Sequence, residues 1–317
     1  MAILTKIQSF IQSKNANSRW LKLLLVLLVL LIFVIYRRKY YPSTHTEGFT
    51  QNDKYVMQRG ADIYDEFYAG IYDYLQKTDK RCPYELKRIV EATQPDKNNS
   101  VMLDIGCGTG CMVDTLREAG YRAFGVDKSA AMVHVSRQKY PKANVRKVDA
   151  EDSMAFDRET FTHVLCLNFT IYEFADKVAF FRNCYYWLVP GGYLVVHMAN
   201  PAKFDPIVPA GKPKLLENPQ KYAKERITDT SIDFADFKYK SVYDFSKLET
   251  RGEVVHTETF TDKETLHIRE NERIIPFEPE SAIVEKALLC RFLLHAQFSM
   301  RDHNADAAQN VYIFQKI

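Results

Sequence analysis

Apolar residues are distributed along this chain in three different ways. From residue 23 to residue 35 they run without interruption. Beyond residue 100 they gather into short runs at 101–105, in a stretch closed by Gly125, Val126 and Asp127, and at 145–150, 163–168 and 193–197. Helix-spaced segments divide these runs. Residues 130–140 follow Ser129, a good N-cap, and stop at Pro141; Val178, Phe181, Tyr185 and Leu188 recur at helical spacing before Pro190, Gly191 and Gly192 break the pattern. Buried strands alternating with helices predict an α/β fold: a doubly wound, mostly parallel, Rossmann-like sheet with its ligand at the carboxyl ends of the strands.

The third pattern is strand-like alternation at 231–234 and 253–260, inside a segment, 202–279, too long for a connection. It predicts a β-rich insertion over the mouth of the site. Residues 280–289 then read as a helix, with 292–299 and 311–314 as the last two strands. Ahead of the first buried run, Tyr64, Phe67, Tyr68, Ile71, Tyr72 and Leu75 follow helical spacing. Either this helix covers the site, through Tyr64, Tyr68 or Tyr72, or it packs on the sheet as an ordinary amphipathic helix.

The unbroken run at 23–35 is flanked by Trp20 and Lys22 on one side and by Tyr36, Arg37, Arg38 and Lys39 on the other. It has no polar face, so a soluble helix is excluded. No small-residue cleavage site follows it, which argues against a removable signal. The expectation is a transmembrane anchor at 20–41, about 25 Å long between its aromatic ends and suited to a thin membrane such as the endoplasmic reticulum. A polar tail at 1–19 precedes it, a tether at 42–54 follows, and the folded domain occupies 55–317. Basic residues are balanced across the anchor and set no topology. The sequon at Asn168, at the end of a central strand, favours a cytosolic domain, because a glycan there would block the site.

The candidate chemistry lies at 101–110, where a buried run leads into Asp104, Gly106, Cys107, Gly108 and Gly110. Glycines at alternate positions let the backbone turn tightly and approach a ligand. The spacing is G-x-G-x-G rather than the dinucleotide G-x-G-x-x-G, and a carboxylate beside a pyrophosphate would be unfavourable. Asp104 suits an ammonium instead, and S-adenosylmethionine carries one and no phosphate. Asp127, about 20 residues on, is placed to accept hydrogen bonds from a ribose. A nicotinamide oxidoreductase is excluded on the same grounds.

With these motifs, residues 55–198, and more loosely the remainder, resemble the class I S-adenosylmethionine-dependent methyltransferases. The resemblance rests on the glycine loop with Asp104, on Asp127, on Val148, Asp149 and Ala150, and on the Pro190–Gly192 turn. It implies that Asp104 and the backbone of Gly106, Cys107, Gly108 and Gly110 hold the methionine portion, and that Asp127 holds the ribose. Asp149 and Ala150 would flank the adenine, against which Met132 packs. The resemblance also implies a methyl transferase acting on a small molecule, a lipid or a membrane-proximal acceptor; a cofactor-free scaffold is the alternative. Asn168, Tyr172 and His197 are candidates by position for assisting the transfer, each with an equally good structural explanation. The residues 168–172 lack the prolines of the turn used by enzymes that methylate bases or protein amides.

Composition narrows the picture further. Forty-three Lys and Arg against 40 Asp and Glu give a net charge of +3, too small to indicate nucleic acid. Six scattered cysteines and eight histidines show no metal-ligand spacing, so no metal is expected.

Overall fold

The computed structural model describes residues 16–40, 49, 51–212 and 218–317. The chain divides into two compact units, Met1–Thr46 and Glu47–Ile317. In the first, one helix is described, α1 (Ala16–Tyr40). Its described side chains at 23–33 are apolar and exposed on every face. Among the described residues no helix is long and apolar enough to cross a membrane. The transmembrane helix expected at 20–41 is therefore not found as such. The tail 1–19 and the tether 42–54 fall mostly outside the described residues.

In the second unit, β1 (Tyr55–Arg59), α2 (Glu66–Gln76) and α3 (Thr78–Thr93) precede the expected α/β alternation. That alternation runs β2 (Val101–Ile105), α4 (Cys111–Glu118), β3 (Arg122–Asp127), α5 (Ala130–Lys139), β4 (Asn144–Lys147), β5 (Phe161–Cys166), α6 (Lys177–Trp187) and β6 (Leu188–Ala199). After it come β7 (Asp229–Asp233), β8 (Phe237–Asp244), β9 (Glu253–Asp262), β10 (Ile268–Pro276), α7 (Glu280–Leu289), β11 (Phe292–Ser299) and β12 (Gln309–Lys316).

The strands form two sheets. The larger has the order β11-β12-β6-β5-β2-β3-β4, parallel from β6 to β4, with β12 antiparallel to both of its neighbours. Helices cover both faces, which is why β2 and β5 carry buried apolar residues on both sides. The core on one face gathers Trp187, Phe181, Val164 and Phe314, all fully buried. Local signals hold: Ser129 caps α5 by accepting from Met132 N (3.1 Å), and the helix ends ahead of Pro141.

The smaller sheet, order β1-β10-β9-β8-β7, contains the expected insertion. It also takes in β1 from before the glycine loop, pairing parallel with β10. Two local expectations are corrected. Tyr64 lies outside α2, which is capped by Asp65 accepting from Tyr68 N (3.0 Å). Pro190–Gly192 does not end a helix: α6 already stops at Trp187, and those residues form an irregularity within β6, whose pairing with β5 shifts register there.

Candidate active site

Between the carboxyl ends of the parallel strands and the smaller sheet lies a cavity of about 720 Å³. The glycine loop forms one end. Gly106 has φ +65°, and a Cβ there would sit 2.4 Å from Thr170 Cγ2, so only glycine fits. Gly108 (φ +53°) donates its N–H to Asp127 Oδ2 (2.9 Å), while Ser129 N donates to Asp127 Oδ1 (2.8 Å). The Asp127 carboxylate thus fixes the loop, and each oxygen keeps a lone pair for a ligand hydroxyl. Burial raises its pKa, and the two backbone N–H groups oppose that.

Gly106, Gly108, Asp127, Met132, Asp149 and Ala150 line one continuous wall of the cavity. Asp149 and Ala150 follow β4, in a turn held by Glu151 N donating to Asp149 Oδ1 (2.9 Å) and Asn183 Nδ2 donating to Ala150 O (3.3 Å). Gly110 is elsewhere: at φ +82°, a Cβ would meet Ser136 Oγ at 2.2 Å, so it permits close packing of α4 against α5. Asp104 and Cys107 border a separate small cavity beneath the loop, with Arg81, Glu85 and Thr109. Asp104 is buried, which pushes its carboxyl well above the usual range, with Glu85 adding to the effect. Burial likewise raises the Cys107 thiol. The structure therefore brings six of the nine expected cofactor residues to the large cavity and puts Asp104, Cys107 and Gly110 behind it.

Of the three tyrosines considered as a cover, Tyr64 and Tyr72 line the cavity. Tyr68 is fully buried and donates to Glu258 Oε1 (3.1 Å), so its role is structural. Tyr72 OH accepts from Asn168 Nδ2 (2.6 Å). Asn168 and Phe169 both have left-handed backbone, φ +49° and +67°, a costly conformation for two consecutive non-glycine residues. This turn delivers Asn168 to Tyr72 and lays Phe169 over His197, ring centroids 4.4 Å apart.

The candidates for assisting transfer separate on their hydrogen bonds. Tyr172 OH donates to Ala199 O (3.2 Å) and accepts from Ala199 N (3.1 Å), so its hydroxyl is spent clamping the end of β6. Asn168 is a neutral amide already donating to Tyr72. His197 is 1% exposed and lines the cavity, with the Gln309 side chain engaging its ring. Glu85 Oε1 lies 3.7 Å from its Nδ1. Burial lowers the His197 pKa to about 3, with Arg81 and His303 adding to the effect, and burial raises Glu85 to about 7 against the pull of Arg81.

The opposite end is aromatic. Phe169 and Phe277 both pack on Phe204, at 5.4 and 5.6 Å, and Tyr243 of β8 meets Phe204 at 5.8 Å. Polar groups there are paired: Arg273 with Glu258 (2.6 Å), Lys212 with Asp205 (2.7 Å), and His256 Nε2 with Ser241 Oγ (2.9 Å). None of these residues stood out in the sequence except within the alternating run of β9. They converge from segments more than 100 residues apart, and hydrophobic periodicity marks them only as buried. Among the described residues no group of three His, Cys, Asp or Glu could hold a metal ion.

A family profile described as a methyltransferase domain matches residues 103–196. The chain is 33% identical over 107 residues, 32% of its length, to the cypemycin N-terminal methyltransferase of a Streptomyces species, covering 43% of that protein. The chain spans between 40% and 63% of the length of the curated relatives it matches. Among solved structures it is similar to an S-adenosylmethionine-dependent methyltransferase from Clostridium acetobutylicum ATCC 824 (TM-score 0.58, 17% identity, 78% of this chain and 97% of that one). It is also similar to CalS10 of Micromonospora echinaspora, an amino pentose methyltransferase solved with S-adenosylmethionine bound (TM-score 0.54, 16% identity, 79% and 96%). The match falls on β2 through β6, the segment that builds the glycine-loop wall. Residues 103–196 are thus similar to a methyltransferase domain, and the chain has the Rossmann-like fold of these S-adenosylmethionine-dependent methyltransferases.

Proposed function

We propose that this chain is an S-adenosylmethionine-dependent methyltransferase acting on a small-molecule or lipid acceptor, attached to a membrane through its N-terminal helix. The observation that carries the reading is the brace between Gly108 N and Asp127 Oδ2, at one end of a cavity whose other end is aromatic. A loop held open by glycines, beside a carboxylate with free lone pairs, fits a nucleoside ribose and a close backbone approach to the methionine portion. Gly106 and Gly108 would face the methionine portion, Asp127 the ribose, and Met132, Asp149 and Ala150 the adenine. Asp104 would lie beneath the loop, one layer behind the ligand, its carboxyl shifted toward the neutral form by burial.

The cofactor supplies an electrophilic methyl group on a sulfonium, so the protein's task is alignment in a dry site. The Asn168–Phe169 turn and the ring wall around Phe204 exclude water and fix the direction from which an acceptor arrives. Attachment to a membrane is supported by the exposed apolar side chains at 23–33, a surface that water disfavours. A cytosolic orientation is supported by Asn168: its side chain is committed to Tyr72 inside the cavity wall and has no room for a glycan.

Calorimetric titration of S-adenosylmethionine into the chain, beside its Asp127→Ala variant, tests the reading. Saturable binding that Asp127→Ala weakens supports it. Absence of binding by the folded chain would leave a scaffold bearing a methyltransferase fold. Flotation of the full chain with phosphatidylcholine vesicles, lost on removal of residues 1–46, tests the attachment.

A further inference from the structure

Among the described residues the two sheets have four edge strands, and three of them are protected by charge. β4 is four residues long and ends in Arg146 and Lys147, β7 carries Asp at both ends, and β1 ends in Arg59, which pairs with Glu272 of β10 (2.8 Å). Short, charged edges keep a second chain from adding to a sheet. β11 differs: it has eight residues and, from Phe292 to Ser299, no Asp, Glu, Lys or Arg. Its register against β12 shifts between Leu294 and Ala296, which bars a strand from adding along its full length and leaves side-chain packing as the way to cover this edge. The side chains for such packing are present. Leu288 and Leu289, on the last turn of α7, are 47% and 74% exposed, and Leu293 and Leu294 of β11 are 51% and 45% exposed. An apolar cluster of this kind on a folded surface marks a contact site.

The charges beside the cluster point to its occupant. Glu285 precedes Leu288 and Leu289 by one helical turn and shares their face, and Arg291 follows them. Both are exposed, and neither has an ion-pair partner among the described residues. An apolar stretch with an acidic residue at one end and a basic one at the other is complementary to itself. A two-fold axis beside Leu288 and Leu289 sets two such stretches antiparallel, leucine against leucine, with Glu285 of each copy opposite Arg291 of the other. A lipid surface would instead take Glu285 out of water without a partner, at a cost. We propose that this face, the end of α7 with the β11 edge, is an interface between two copies of the chain. Leu293 pairs with Gln315, and Gln315 with Tyr193 near the start of β6, so the interface lies toward the amino ends of the parallel strands. The cavity opens at their carboxyl ends, and both copies keep it accessible in the pair.

The test uses the full chain in detergent micelles, its protein mass read by light scattering corrected for bound detergent. The expected mass is that of two chains. Leu289→Asp combined with Leu294→Asp is expected to give single chains with an unchanged circular dichroism spectrum, since both side chains are exposed. Charge reversal supplies a second reading. Glu285→Arg and Arg291→Glu are each expected to weaken association about tenfold, because each sets like charges face to face at two symmetric places, and the two together to restore it to within about twofold. Single chains at every concentration of the unaltered protein would overturn the proposal. So would a pair undiminished by the two aspartates, which would put the association elsewhere, or two charge reversals that do not rescue each other. A chain that scatters as a single copy but floats with phosphatidylcholine vesicles, less so with the two aspartates, would assign the cluster to a lipid surface and equally overturn it.

Discussion

The two ends of the cavity are built by opposite means. The glycine-loop end comes from residues 106–150, three successive strand ends of one parallel sheet, and much of its geometry is backbone: positive φ at Gly106 and Gly108, and N–H groups gathered by Asp127. The aromatic end draws Phe169, Phe204, Tyr243 and Phe277 from across both sheets and is made of side-chain rings. Backbone geometry tolerates few residue types, whereas a ring wall can be rebuilt with rings of other shapes. On the proposed reading, the first end suits a fixed ligand and the second is where acceptor choice would lie.

The sharpest way to break this contrast is Gly106→Ala. The added Cβ overlaps Thr170 Cγ2 and takes a left-handed backbone, so S-adenosylmethionine affinity is expected to fall by about a hundredfold. Pairing it with Thr170→Ala removes the clash and leaves the φ strain, so the double variant should recover part of the loss. Calorimetry on the three chains reads both effects; full affinity in Gly106→Ala would show that the loop moves freely. A smaller loss, about tenfold, is expected for Asp127→Asn, because an amide oxygen and an NH₂ group cannot both accept the N–H bonds of Gly108 and Ser129.

The same contrast explains what could be read in advance. The α/β alternation, the glycine loop, Asp127 and the Ser129 cap depend on residues close in sequence, and each stands where the pattern placed it. Asp104 did not follow the pattern, because the face a strand residue presents decides which cavity it meets, and Asp104 faces the α3 side with Arg81 and Glu85. Helical spacing put Tyr68 and Tyr72 on one face without separating the residue buried against Glu258 from the one at the cavity. The partnership of Glu85 and His197 joins a helix and a strand far apart in the chain and leaves no local trace. The pairing of β1 with β10 is equally long-range.

Phe204→Leu probes the aromatic end alone. It removes a ring that contacts Phe169, Tyr243 and Phe277, at a stability cost of about 1 kcal/mol. Affinity for a small aromatic probe such as 4-nitrophenol is expected to drop about fivefold, with S-adenosylmethionine affinity unchanged within about twofold. Equal losses for both ligands, measured by titration, would mean that the two ends are not separable.

The smallest expected effect concerns the buried histidines of the two sheets. His163 on β5 is buried against Tyr193, lies outside the cavity, and has its pKa lowered to about 4 by burial. Its folded pKa lies below that of the unfolded chain, so its burial is tolerated above about pH 6.5, and stability is lost as pH falls from there toward 4. His197 and His256, both lowered to about 3 by burial, act in the same direction. Each such group steepens the acid limb of the stability curve by up to about 1.4 kcal/mol per pH unit. His163→Phe should flatten that limb in urea titrations between pH 6.5 and 4 and leave S-adenosylmethionine binding untouched. His197→Gln should flatten it similarly. An acid limb unchanged by His163→Phe would mean that this ring is protonated in the folded chain and that burial alone does not keep imidazoles neutral in this sheet.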